Sequence, residues 1–173
     1  MRKLFFFCLV VFYSSCTLKE QDKTNAQPYF DLDSYFKAEA QRLSKANLQI
    51  NKTVKVNGQS EAKNIKITNW EKEFESFISA NINKASWKGS FKAQKDSNKT
   101  TYVTQNEKIP VKKVEIVYRK NKIYGIKIFI SNTNRLYTSK DSLTYYPDSL
   151  YQIKKLQQIK LMDSKTYQIT GKF

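Results

Sequence analysis

From Ser86 to the C-terminus, apolar and polar residues alternate in short runs separated by turn-forming residues. A strand points successive side chains to opposite faces, so this pattern fits a sheet with one face in a core. Tyr124, Ile126, Ile128 and Ile130 make the cleanest run, within a strand read over Ile123 to Ser131. Trp87, Gly89, Phe91 and Ala93 alternate with Lys88, Ser90 and Lys92, which predicts a strand there too. Further strands are read at Thr100 to Gln105, Val111 to Arg119, Tyr151 to Leu161 and Thr166 to Phe173. Arg135 to Tyr146 holds one longer strand, or two split near Lys140-Asp141. The intervening breaks, such as Asp96-Ser97-Asn98 and Pro147-Asp148, are too short for parallel crossovers. The strands are therefore antiparallel, six or seven in all after a helical segment.

Upstream, Leu32, Tyr35, Phe36, Ala40 and Leu43 share the spacing of one helical face. Asp31 or Asp33 supplies a cap. Leu48, Ile50, Val54 and Val56 occupy even positions ahead of Asn57-Gly58, a strong hairpin signal, and Ile65 and Ile67 return on the other side. Thr68-Asn69-Trp70-Glu71 reads as a capping box opening a second helix, with Trp70, Phe74, Phe77, Ile78 and Ile82 along one face. Glu71, Glu73 and Glu75 lie near its positive end, and dipole compensation on a solvated face accounts for them. The expected class is α+β: two amphipathic helices on a curved, mostly antiparallel β-meander, half-barrel-like, in one domain over residues 30–173. Half-barrels of this kind resemble periplasmic lipid- and lipoprotein-carrier proteins, a likeness of fold that does not fix function.

The 173 residues contain no His and only two Cys, Cys8 and Cys16. The commonest general base and metal ligand is absent. Ser-x-x-Lys occurs at Ser34/Lys37 and Ser60/Lys63, but 15 Ser and 27 Lys generate about two such pairs by chance. Gly58, Gly89, Gly125 and Gly171 are too dispersed for a phosphate loop, and no stretch has the alternating acids of a calcium loop. No catalytic residue, metal ligand or cofactor is assigned. A carboxylate pair assembled by the fold is the one hydrolytic route left open.

The first residues carry a separate message. Arg2 and Lys3 precede ten apolar residues, Leu4 to Tyr13, about half of what a bilayer-spanning helix needs. Ser14-Ser15-Cys16 follows, and this resembles the lipobox of Bacteroidota-type bacterial lipoproteins, although Tyr13 stands where Leu is usual. The resemblance implies a signal peptide over 1–15, lipidation of Cys16, a flexible tether over 16–29, and an anchor of two or three acyl chains in the cell envelope. It points to the outer membrane ahead of the inner one, without fixing which face. Asp141-Ser142-Leu143 and Asp148-Ser149-Leu150 resemble the O-glycosylation acceptor of the same group, with Ser142 and Ser149 as acceptors at expected turns.

The formal charge is +16, from 31 Lys and Arg against 15 Asp and Glu. Starting at Cys16, the chain loses Arg2 and Lys3 and carries +14. Such a field gathers anions. With 27 Lys and only 4 Arg, and with export implied, nucleic acid is not the expected partner. Anionic lipid or glycan suits the charge better, while an AT-rich genome would yield the same composition. Trp87, Phe91, Tyr102, Tyr118 and Tyr124 fall on expected strands and are candidate ligand-lining aromatics, with ordinary core packing as the alternative. The expected role is that of a lipid-anchored, non-catalytic envelope protein that binds anionic or amphipathic molecules. The alternatives are an interaction subunit of an envelope protein complex and, ranked below it, a carboxylate-based hydrolase.

Overall fold

The structure, a computed structural model, describes residues 29–173. Cys8, Cys16 and the stretch read as signal peptide and tether up to Pro28 lie outside the described residues. The chain order is α1 (Leu32–Ala46), β1 (Gln49–Val56), β2 (Gln59–Lys66), α2 (Trp70–Glu73) and α3 (Glu75–Ser79). A single 3-10 turn (Ala85–Trp87) leads into β3 (Lys92–Asp96) and β4 (Lys99–Val103). The rest is β5 (Val111–Arg119), β6 (Lys122–Thr133), β7 (Tyr137–Tyr146), β8 (Leu150–Ile159) and β9 (Lys165–Lys172).

All nine strands join one antiparallel sheet in the order β2-β1-β9-β8-β7-β6-β5-β4-β3. From β3 to β9 each strand pairs with its sequence neighbour, and the last strand then closes on β1. Among the described residues the sheet stays open, with β2 and β3 as its edges. Strand content far exceeds helix, so the domain is mostly β, with helices as a partial cover over a meander.

Local chemistry sets most boundaries. Asp31 caps α1 by accepting the Ser34 N–H, and Asn47 ends it in the left-handed region at φ 48°. Asn57 and Gly58 have φ of 49° and 88°, and Lys120 and Asn121 have 49° and 59°. Both pairs show the doubly positive φ that suits a two-residue turn to the twist of its strands. Two expectations are corrected near α2. Asn69, not Thr68, is the cap, its Oδ1 accepting the Lys72 N–H at 2.9 Å. The second helix is also broken at Phe74 (φ −93°, ψ 8°) into α2 and α3. The expected strand through Trp87 begins only at Lys92, because a 3-10 turn and Gly89 at φ 76° redirect the chain. β7 runs unbroken through Lys140-Asp141.

The core lies between the helices and one face of the sheet. Phe36, Trp70, Phe74, Phe77, Tyr145 and Tyr151 are each at most 1% exposed. Phe74 is their hub, with ring centroids 5.4 to 5.8 Å from Trp70, Phe36, Phe77, Tyr145 and Tyr151. Most of these contacts are edge-on, the geometry that aromatic quadrupoles favour. Tyr29 joins the same core through edge contacts to Phe91 and Tyr102.

Candidate functional site

Strand parity assigns each residue to a face. Leu143 and Tyr145 of β7 are buried on the helix side, so Lys140 and Ser142 face away. Register carries this outer face across the sheet. One cross-strand row runs Lys55, Gln168, Lys154, Ser142, Phe129, Lys113 from β1 to β5. The next runs Thr166, Leu156, Lys140, Ser131 from β9 to β6. All of these residues but Lys113 line a groove of about 610 Å³. Its apolar surface comes from Phe129 and Leu156, each 41% exposed, and from lysine stems.

The charge within the groove is one-sided. Lys55, Lys140 and Lys154 make no ion pair among the described residues. Lys113 is held by Glu115 at 3.1 Å, with its ammonium 5.7 Å from the Phe129 ring centroid. Lys112 at the groove end donates to the carbonyls of Asn106 and Glu107. Asp141 is the one acid among the groove residues. It belongs by parity to the other face, where it pairs with Lys155 at 3.4 Å and accepts from Ser139. The groove therefore offers an apolar floor beside three ammonium groups with no neutralising carboxylate, a fit for a molecule with one greasy and one anionic part.

The acids on the helix side are committed elsewhere. Glu39 of α1 accepts the Tyr145 hydroxyl and pairs with Arg42 at 2.8 Å. Glu73 of α2 accepts the Tyr151 hydroxyl at 2.6 Å and pairs with Lys52 at 2.7 Å. Glu73 is thus turned towards the sheet, which corrects its assignment to a solvated face. Glu71 and Glu75 remain exposed. Burial, followed by these acid contacts, pushes the Tyr145 and Tyr151 phenols above the ordinary tyrosine range. No cluster of three or more acid or thiol ligands able to hold a metal occurs among the described residues.

The five candidate aromatics do not form one lining. Phe91 and Tyr102 are 6% and 7% exposed and pack on Tyr29. Trp87 sits 6.5 Å from Phe91 under the Lys84 ammonium. Tyr118 is half-buried against the core, and Tyr124 meets Tyr146 edge-on with the Arg119 guanidinium over its ring. Ser149 is exposed in the β7–β8 turn, as expected. Ser142 is instead in the middle of β7, half-buried and paired with Phe129 and Lys154, because β7 does not split. The groove residues Lys55, Phe129, Lys140, Lys154 and Leu156 were not singled out from the sequence. A signal was present: Phe129 and Leu156 are apolar residues at positions whose strand parity is otherwise polar.

Comparison with protein-family models, with curated proteins and with solved structures finds no match. The functional reading therefore rests on the residues themselves.

Proposed function

We propose that this chain is a lipid-anchored cell-envelope protein with a non-catalytic binding role, and that the groove on its outer sheet face holds an amphipathic anion. The observation that carries the reading is the juxtaposition of Phe129 and Leu156 with the unpaired Lys55, Lys140 and Lys154. A fatty acid or an alkyl phosphate has the matching chemistry. Its chain lies over the apolar pair, and its head group meets the ammonium groups. A half-barrel-like curvature of the meander would give the groove its depth. Anchoring through Cys16, with the outer membrane favoured, accounts for the lipobox-like segment and places the groove among anionic lipids and glycans. The engagement of Glu39 and Glu73 with tyrosines and cations supports a binding role over carboxylate catalysis.

Titration of the full-length chain with a dansylated fatty acid tests the groove. Saturable binding is expected, weakened at least tenfold by Leu156→Asp and by Lys140→Glu/Lys154→Glu, with dodecanol a poor competitor and dodecyl phosphate a good one. Equal binding by wild type and variants would sink the reading. Persistence of membrane association after Cys16→Ser would remove the anchor from it.

A second reading, an interaction subunit of an envelope complex, is favoured by one feature. Among the described residues, β2 presents an eight-residue edge with no strand beyond it, nearly all of it exposed. Crosslinking in cells at Glu61 or Lys63 replaced by a photoreactive residue should then capture one stoichiometric partner, and its absence would count against this alternative.

A further inference from the structure

The most exposed apolar residues of the described chain gather at one end of the sheet. Leu136, in the loop between β6 and β7, is 72% exposed, and Leu161 and Met162, in the loop between β8 and β9, are 99% and 57% exposed. The two loops are tied together. The Lys160 N–H donates to the Leu136 carbonyl at 2.9 Å, just past the pair Tyr137↔Ile159. Each loop is also fixed internally. Asn134 Oδ1 accepts the N–H groups of Leu136 and Tyr137 at 2.8 and 2.9 Å, and the Met162 N–H donates to the Ile159 carbonyl. Leu161 holds φ at 69°, a conformation that a bulky side chain rarely adopts, with its side chain wholly in water.

Single exposed apolar residues need no explanation, but a cluster rimmed by charge does. Here the rim is basic. Arg135 and Lys160 are exposed beside the leucines, against Asp163 as the loop acid. Tyr137 adds an aromatic with a polar tip, the side chain that favours the membrane–water boundary. Aliphatic side chains projecting past a collar of cations are the arrangement of an interfacial membrane contact.

We propose that the loop pair around Leu136 and Leu161 inserts into the surface of an anionic lipid bilayer. Charge complementarity commits the site to anionic lipid: the collar carries two exposed cations against one carboxylate, on a chain of strongly positive net charge. The tip also continues the groove. The pair Thr138↔Gln158 lies on the same sheet face as Lys140↔Leu156 and leads from the groove to the loops. An amphipathic anion leaving the bilayer at the tip meets that face first. This goes beyond the groove reading and stands whether or not the groove is occupied.

The test uses the full-length chain, with Leu161→Trp at the tip and Lys120→Trp in the β5–β6 turn as control. These sites are at opposite ends of the sheet, about 40 Å apart along the twelve residues of β6. Trp70 and Trp87 give the same background in both. With vesicles of phosphatidylglycerol and brominated phosphatidylcholine, Leu161→Trp fluorescence should fall at least twofold relative to unbrominated vesicles. Lys120→Trp should change no more than wild type, even if the N-terminal segment already holds the chain on the vesicle. Arg135→Glu/Lys160→Glu added to Leu161→Trp should reduce the quenching severalfold, as should replacing phosphatidylglycerol with phosphatidylcholine or raising the salt. Equal quenching at both sites, or quenching indifferent to lipid charge, would overturn the proposal. Shielding of Leu161→Trp that follows protein concentration and not vesicles would assign the tip to a second copy and overturn it as well. Dansylated fatty acid binding by Arg135→Glu/Lys160→Glu, measured without vesicles, should stay at the wild-type level, so failure of the tip and failure of the groove give different results.

Discussion

Tyr145 and Tyr151 are directly paired across β7 and β8, and each gives its hydroxyl to a glutamate from a different helix. Glu39 comes from α1 with Arg42 behind it, and Glu73 from α2 with Lys52 behind it. Arg42 reaches on to Asp148 in the β7–β8 turn at 2.8 Å. Two adjacent sheet positions thereby fix the docking of both helical segments.

Tyr145→Phe and Tyr151→Phe each leave a shielded carboxylate short of one donor without changing ring packing. Each should lower stability by about 1.5 to 3 kcal/mol in urea unfolding, the range for hydrogen bonds to charged groups. A change below about 0.5 kcal/mol would show that water replaces the hydroxyl at no cost.

Alkaline pH should loosen the same contacts. Burial is the main cause that raises Tyr35, Tyr145 and Tyr151 above the ordinary value of 10.0, with Glu39 or Glu73 adding to it. Each folded-state value exceeds the unfolded one, so the folded chain keeps a proton that the unfolded chain gives up. Stability from these groups is intact below pH 10 and declines above it, by roughly 1 kcal/mol per pH unit for each tyrosine. Absorbance titration at 295 nm should show Tyr35, Tyr145 and Tyr151 ionising only as the fold is lost. Ionisation of all three in the folded state would refute this.

Gly171 and Gly125 both oppose a tyrosine but differ in room to adjust. A methyl group on Gly171 would run into the ring edge of Tyr151, which is fully buried. One on Gly125 would meet the ring of Tyr146 at 2.7 Å, but that ring is only half-buried. Gly171→Ala should cost about 2 to 3 kcal/mol and Gly125→Ala distinctly less, by thermal unfolding. The reverse order would mean that the Tyr151 ring has space to turn.

Phe74 touches five other aromatic rings at a break between two short helices. Helices of four and five residues cannot persist alone, so packing at Phe74 holds them. Phe74→Ala should cost about 3 to 5 kcal/mol. Hydrogen exchange should show 70–80 losing protection ahead of β6 and β7.

Much of the fold was legible from local pattern. The α1 stripe, the Asn57-Gly58 turn and the alternation in β5, β6, β8 and β9 appear where parity and spacing put them. Local cues and packing diverge at two places. Thr68-x-x-Glu71 looks like a capping box, but Asn69 takes the cap so that Trp70 and Phe74 can both reach the core. Asp141-Ser142 favours a turn locally, yet β7 continues because Leu143 and Tyr145 must stay on the core face.

Sequence alone determined the antiparallel meander, the helical face of α1 and the absence of histidine- and thiol-based chemistry in residues 29–173, since these follow from residue types and their spacing. Tertiary structure decided which acids are free and which side chains share a surface. Glu73 sits among three nearby acids in the chain, but only the approach of Lys52 and Tyr151 turns it inward. Lys55, Phe129, Lys140, Lys154 and Leu156 lie on four different strands, and only the register of those strands sets them side by side. Leu136 and Leu161 meet for the same reason: hydrogen bonding between β7 and β8 brings together two loops that no local pattern connects.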